Sequence, residues 1–381
     1  MTSGKVDIFC KVVDNFGDIG VAWRLARQLV AEQGFNVRLW LDNPDALSRL
    51  SAEVDAQAEM QTVCGVEVRH WGVPFPEAVP AEVVVETFGC DLPESYVIAM
   101  AHQARPPAWI NLDYLSAEAW VDSHHALPSP HPRLPLTKHF YFPGFSDKTG
   151  GLLRERDLLA RRGVFQRDQN AQLLFWEKFD MPPPAQNELR ISLFCYENPC
   201  LPELLQAWAD GSQPITCLVP EGVALESLAK FFKVDKSAVT KKTTRGKLTL
   251  QYIPFTDQGG YDQLLWACDV NFARGEDSFV RAQWAAKPFV WHIYPQKENT
   301  HWVKLNAFID LYAAAMSAEQ AAATREFWRA FNAGRGAGVA WNTFVYQLPG
   351  LLVHNRAWAE QLSTRIDLSS GLADFCRKLI K

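Results

Sequence analysis

Short apolar runs of strand length alternate with amphipathic helical stretches along this chain, and they do so in two separate blocks. In the first block Val6, Ile8, Cys10 and Val12 alternate with other residues up to Val13, and a turn follows, Asp14-Asn15-Phe16-Gly17-Asp18-Ile19-Gly20. Val21, Leu25 and Leu29 then stand at the i, i+4, i+8 spacing of one helix face. That helix is expected to close at Gly34, and Asn36 to Leu41 reads as the second strand of a βαβ unit. Val66–Trp71, Val83–Val85 and Trp109–Leu112 fit further parallel strands. The second block follows a charged stretch, Arg154 to Arg167, and the helix-breaking Pro182-Pro183-Pro184. Its strand candidates are Ile191–Tyr196, Ile215–Val219, Leu248–Ile253, Val270–Ala273 and Phe289–Ile293. Such alternation predicts two doubly wound α/β domains, which take ligands beyond the carboxyl ends of their strands. Two facing Rossmann-like domains with an interdomain cleft are therefore expected. The first covers residues 1–165 and is completed by a helical segment at 351–381; the second covers 166–350.

A chain of 381 residues is also too long for one core, since single cores stop growing near ~250–300 residues. With 48% apolar and 21% charged residues it is neither disordered, collagen-like nor a coiled coil. A net charge of −5, from 38 Lys and Arg against 43 Asp and Glu, argues against a protein that coats nucleic acid. No run approaches the ~20 apolar residues of a membrane span, and Met1 to Lys5 carries no apolar signal region. A cytoplasmic protein without a membrane partner is expected. The eight cysteines form no C-x-x-C pair and read as buried reduced thiols, with no metal site. The charge is uneven: residues 1–150 carry 11 basic and 19 acidic side chains, a balance of −8, and residues 151–381 carry 27 and 24, a balance of +3. If these parts are domains, the first suits a cationic ligand and the second an anionic one.

The turn from Asp14 to Gly20 sits where a dinucleotide-binding domain places G-x-G-x-x-G, yet it has only Gly17 and Gly20. A pyrophosphate there would meet Asp14 and Asp18, so NAD binding is disfavoured. Two readings remain: Asp18 caps the helix while Asp14 ends the strand, or the pair forms a general base with a supporting carboxylate. A second site is Ala273-Arg274-Gly275-Glu276-Asp277-Ser278, where a strand leads into a helix N-terminus. Its N–H groups, hydroxyl and guanidinium are the ingredients of a diphosphate site. Asp277 is expected to cap the helix, leaving Glu276 to meet a ligand. Leu193 to Asn198 and Tyr252 to Gln258 end strands on the same edge, where Phe255 fits base stacking and Gln258 a hydrogen bond to the base. Phe194 fits either the core or the ligand. His124 and His125 lack metal-ligand spacing and read as surface or structural. Lys241 to Arg245 reads as a solvated turn, and no G-x-S-x-G, H-E-x-x-H or P-loop occurs.

Several runs are more specific. Ile8 to Gly20, Val85-Glu86-Thr87-Phe88-Gly89-Cys90-Asp91-Leu92-Pro93-Glu94, Asn111 to Glu118, Gly144-Phe145-Ser146 with Gly150-Gly151-Leu152, and Arg274 to Gln283 together resemble the EarP family. These are the protein-arginine rhamnosyltransferases that modify bacterial translation elongation factor P. The resemblance implies a GT-B glycosyltransferase fold, an inverting transfer of L-rhamnose from dTDP-β-L-rhamnose to arginine, and no cofactor. The first domain would bind the acceptor and the second the nucleotide sugar. It further implies that Asp18 is the general base, Asp14 its partner and Glu276 a required glutamate. Asn15, Phe16, Gly17, Phe194, Tyr196, Phe255, Gln258, Arg274, Gly275, Glu276, Asp277 and Ser278 would contact the donor. Tyr114 and Glu118 would join Asp14 and Asp18 at the acceptor. A GT-B transferase with another acceptor, or a non-catalytic nucleotide-sugar or elongation-factor-binding module, is the alternative.

Overall fold

In the computed structural model, which describes residues 4–13, 16–236 and 242–380, the apolar runs become two separate sheets. The chain divides into two units, Met1–Arg156 with Leu362–Lys381, and Asp157–Gln361. The sequence placed these divisions at 165/166 and 350/351. The helix Leu158–Arg167 falls in the second unit because Phe165 is buried there against Phe175 and Trp266.

The first unit holds β1 (Lys5–Cys10), β2 (Asn36–Leu41), β3 (Met60–Val63), β4 (Val66–His70), β5 (Val83–Thr87), β6 (Ala108–Leu112), β7 (Leu127–Pro130) and β8 (Thr137–Tyr141). Their order is β3-β4-β2-β1-β5-β6-β8-β7. The central pairs are parallel, while β3 on β4 and β7 on β8 are antiparallel edges. Strands β1 and β5 are buried almost throughout, and Val83-Val84-Val85 of β5 reads as a continuous apolar run for that reason. The edges escaped sequence reading for the opposite reason: β7 is exposed along its whole length and carries two prolines. The first helix, Gly17–Gln33, closes at Gly34 in the left-handed region, φ 72°, as expected.

The glycine run after β8 has a packing cause. A side chain at Gly151, φ +74°, would collide with the Ile366 carbonyl, and one at Gly150 with the Tyr141 ring. The returning segment thereby lies flush on the unit, and the helix Leu368–Leu379 is fixed to the first helix. Gln28 Nε2 donates to Asp367 Oδ1 at 3.0 Å, and Gln33 Nε2 to Ser370 Oγ at 3.0 Å.

The second unit holds β9 (Leu189–Leu193), β10 (Ile215–Pro220), β11 (Thr243–Arg245), β12 (Leu248–Ile253), β13 (Val270–Arg274) and β14 (Phe289–His292), in the order β11-β12-β10-β9-β13-β14. All pairs are parallel except β11 with β12. Strand β9 ends at Leu193, so Phe194 to Tyr196, expected as its end, form the loop beyond its carboxyl edge. Of the cysteines, all free, seven are buried and Cys64 is exposed.

Candidate active site

In the first unit the chain leaves β1 at Cys10 and enters the helix at Gly17. The expectations placed on Asp14 and Asn15 fall outside the described residues. Phe16 occupies the N-cap position without a side-chain cap, and Asp18 is the second helical residue, so it does not cap the helix. Its carboxylate is 2% exposed. Oδ2 accepts the backbone N–H of Val13 at 2.9 Å, and Oδ1 the Tyr114 hydroxyl at 3.4 Å. Burial pushes the nearby Cys10 thiol well up, and the negative charge of Asp18 adds to the push. That thiol is inert.

Tyr114 follows β6 and stacks on Phe88, with centroids 4.4 Å apart and planes 19° from parallel. Phe88 follows β5 in the left-handed region, φ 56°, a costly conformation for an aromatic residue. Hydrogen bonds from Phe88 N to the Leu112 carbonyl, 2.7 Å, and from Gly89 N to Asn111 Oδ1, 3.1 Å, hold it there. In the same motif the buried Glu86 accepts the Trp109 indole N–H at 3.1 Å and pairs with Lys138 at 2.8 Å. Its role is structural. Glu118 accepts the Ser116 hydroxyl at 2.9 Å. The family resemblance implied Asp18 and Tyr114 at one acceptor site; the structure joins them by the hydroxyl contact and holds Tyr114 on Phe88.

The second unit gathers its candidates around Arg274, the last residue of β13. The Arg274 guanidinium lies 4.5 Å from the Phe194 ring centroid and 4.9 Å from that of Tyr196, and Nη1 donates to the Cys195 carbonyl at 3.2 Å. Arginine thus clamps the loop after β9 through stacking and a hydrogen bond. Phe194 also meets Tyr261, 5.6 Å between rings, and is half-buried, between its two expected environments.

Gly275 turns the chain at φ 60° and its carbonyl accepts the Trp291 indole N–H at 3.0 Å. Glu276, not Asp277, occupies the N-cap position, and it supplies no side-chain cap. The expected capping role of Asp277 is corrected: the helix starts one residue earlier, and Asp277 Oδ2 accepts the Gln258 amide at 3.3 Å. Gln258 is 3% exposed at the start of the helix Gln258–Ala267, whose cap is Asp257. Phe255 is half-buried in the loop before it. The Ser278 hydroxyl accepts the Arg274 N–H at 2.9 Å and donates to the Arg274 carbonyl, closing the turn. The helix Asp277–Trp284 is anchored by a buried bidentate pair, Arg281 Nε to Asp262 Oδ1 at 2.8 Å and Nη2 to Oδ2 at 2.5 Å.

Sequence reasoning missed His292, at the end of β14. Its Nδ1 accepts the backbone N–H of Tyr196 at 3.3 Å, and its ring meets the Tyr196 ring edge-on at 5.2 Å. The available signal was a polar residue at the carboxyl edge of an apolar strand. Among the described residues, no group of three or more His, Cys, Asp or Glu is arranged to hold a metal ion, and no helix is long and apolar enough to cross a membrane.

Comparison with known proteins accounts for almost the whole chain. The family model of the elongation-factor P (EF-P) rhamnosyltransferase EarP matches residues 6–377. A protein-arginine rhamnosyltransferase of Pseudomonas aeruginosa is 49% identical over 369 residues, covering 97% of this chain and 98% of the relative. A solved structure concerning EarP-mediated arginine glycosylation of translation elongation factor EF-P superposes with a TM-score of 0.71 at 37% identity, over 99% of each chain. A glycosyltransferase of Rickettsia africae shares the architecture alone, with a TM-score of 0.54 at 8% identity over the full length of both. The two Rossmann-like units are those of a GT-B glycosyltransferase, and the chain belongs to the EarP family of EF-P rhamnosyltransferases.

Proposed function

We infer that this protein transfers L-rhamnose from dTDP-β-L-rhamnose to a side-chain nitrogen of an arginine in bacterial elongation factor P, with inversion at the anomeric carbon. Membership of the EarP family over nearly the full chain carries this reading. The work belongs in the cytoplasm, where translation factors act.

The chemical difficulty lies in the acceptor. An arginine side chain has a pKa above 12, so removing its proton beforehand at pH 7 costs about 7 kcal/mol. A neighbouring carboxylate favours the charged guanidinium and so does not lower that cost. Asp18 therefore acts during the displacement. Held by the Val13 N–H and the Tyr114 hydroxyl, it orients the guanidinium and takes the proton from the reacting nitrogen as the C–N bond forms. The bond from the anomeric carbon to the diphosphate oxygen breaks in the same step, and its electron pair leaves with dTDP. One displacement inverts the centre without a covalent enzyme intermediate. In this reading Asp14 adds negative field and Glu118 and Tyr114 border the acceptor.

On the donor side, Phe194 and Phe255 flank the thymine and deoxyribose, and Tyr196, Gln258 and the Arg274–Ser278 segment meet the nucleotide sugar. Arg274 and the first-turn N–H groups of the helix Asp277–Trp284 receive the charge that develops on the leaving diphosphate. Glu276, half-buried at the head of that helix, completes the donor site. The transfer as written uses only these side chains and backbone groups.

The test is incubation with dTDP-rhamnose and EF-P, followed by intact-mass and fragment analysis. A gain of one deoxyhexose on arginine is expected. Asp18→Asn is expected to lower turnover by about 10²–10⁴-fold, the scale of general-base catalysis, while dTDP binding persists. An unmodified EF-P would overturn the function, and near-normal turnover by the variant would overturn the base.

A further inference from the structure

We propose that His292 is a positioning residue of the donor site, holding the loop Phe194–Tyr196 in its ligand-binding form by accepting the Tyr196 backbone N–H. This rests on the reading above that Tyr196 meets the nucleotide sugar.

The loop follows β9, where the Phe194 N–H donates to the Phe272 carbonyl at 3.2 Å, and two side chains hold it further on. Arg274 grips the Cys195 carbonyl and lies over both flanking rings. His292 is the second. It is the register partner of Arg274 across β13 and β14, so the two side chains that hold the loop rise from adjacent strand ends. The His292 ring is 5% exposed, packed edge-on against Tyr196 and, at 5.1 Å, against Phe331. Tyr196 is further bounded by Tyr294, 5.5 Å away. A backbone N–H beyond a strand end has no ladder partner, and a buried one left unpaired is costly. Here the imidazole supplies the missing acceptor. An acceptor at Nδ1 places the ring's one proton on Nε2, so the neutral ring is the working form. Burial, then the neighbouring Arg274 and His301, keep it neutral by lowering its pKa to about 3.

The geometry separates acceptor chemistry from ring packing, and so does the experiment. His292→Phe keeps a ring but loses the acceptor; His292→Asn loses the ring but offers an amide oxygen close to the position of Nδ1. The full-length protein is assayed for dTDP binding by calorimetry and for EF-P rhamnosylation by mass. For His292→Phe, donor KM and the dTDP dissociation constant are expected to rise threefold to about tenfold, the worth of one hydrogen bond, with kcat at saturating donor within about twofold. His292→Asn is expected to recover most of that affinity. Equal weakening in both variants, or unchanged affinity in His292→Phe while Tyr196→Ala binds poorly, would overturn the positioning role alone. Unchanged affinity in Tyr196→Ala would instead overturn the donor-site reading. Hydrogen exchange on the unaltered protein needs no variant: the Tyr196 amide is expected to be protected before dTDP is added, and free-chain exchange would refute the bond.

Discussion

A strand leading into a helix is built twice around a charged side chain, Asp18 in one case and Arg274 in the other, and used in opposite senses. After β1 the turn opens onto Asp18, a buried carboxylate in the first helical turn, where it adds negative charge to a site that would otherwise favour anions. After β13 the turn carries Arg274, and Ser278 closes the backbone around it. On the proposed function, one helix end takes the guanidinium and the other the diphosphate. The lesson is that local chemistry decides ligand sign, because the whole-unit charge does not. Divided at residue 150, the sequence seemed to be −8 against +3. Counted over the units that form, Met1–Arg156 with Leu362–Lys381 carries 17 basic and 22 acidic residues, a balance of −5, and Asp157–Gln361 carries 21 of each. The acidic character of the first unit survives; the basic character of the second does not.

The two helices also differ in how they are anchored, and this gives the largest expected effect. The helix after β13 is tied by Arg281 and Asp262, 1% and 2% exposed, in a bidentate pair. The helix after β1 is tied by Arg24 and Glu155, 2% and 15% exposed, at 3.4 Å through one guanidinium nitrogen, beside the bonds of Gln28 to Asp367 and Gln33 to Ser370. Removing one partner of a buried pair strands the other charge. Asp262→Asn, at a carboxylate 2% exposed and bonded at both oxygens, is expected to cost about 3–5 kcal/mol in urea unfolding, and Glu155→Gln, at a carboxylate 15% exposed that water reaches, less than that although Arg24 is buried. Equal losses would erase the contrast.

A smaller effect comes from His292, which belongs to the second site alone. Its folded pKa, about 3, lies below the ~6.5 of a free imidazole. The contribution is fully present above pH ~6.5. Below that the unfolded chain takes up a proton that the folded chain refuses, so stability falls as pH drops, by roughly 1.4 kcal/mol per unit down to about pH 3. Between pH 7 and 5 this amounts to about 2 kcal/mol. His125, His139 and His354 are likewise lowered by burial and act in the same direction. Urea unfolding at the two pH values is expected to show a shallower acid loss in His292→Asn than in the unaltered protein. Identical slopes would remove His292 from the account.

Most of this architecture was legible because the parallel strands are short apolar-rich runs set between helical stretches. Asn36–Leu41 and Leu248–Ile253 match the observed strands residue for residue. What was lost lies where burial gives no pattern. Strand β8 is mostly half-buried and polar, and the proline-bearing β7 shows no apolar alternation. At the sites, residue types at strand ends drew attention to Asp18 and Arg274, which stand in the first turn of the helix after β1 and at the end of β13. Partners distant in the chain were illegible to spacing: only the family resemblance joined Tyr114 to Asp18, 96 residues away, and nothing joined His292 to Tyr196, also 96 residues away. The hydroxyl of Ser278 looked free for phosphate because its bonds are to a backbone four residues away, which composition does not reveal.

The smallest effect tests the finest difference between the two turns, the side-chain hydroxyl that reaches Asp18. Tyr114 Oη stands 3.4 Å from Asp18 Oδ1, long for a hydroxyl bond, and its ring is held by the Phe88 stack. Catalytic hydrogen bonds are often loose before substrate arrives and tighten in the complex. Tyr114→Phe keeps the stack and removes only the donor. If the hydroxyl orients the base, kcat for EF-P falls about threefold to tenfold, about 0.5–1.5 kcal/mol, while dTDP affinity stays unchanged. Phe88→Ala keeps the hydroxyl but frees the ring that carries it, so its loss in kcat should match that of Tyr114→Phe and not add to it in the double variant. Full additivity would mean that the stack and the hydroxyl act separately, and an unchanged kcat in Tyr114→Phe would remove that hydroxyl from the orientation of Asp18.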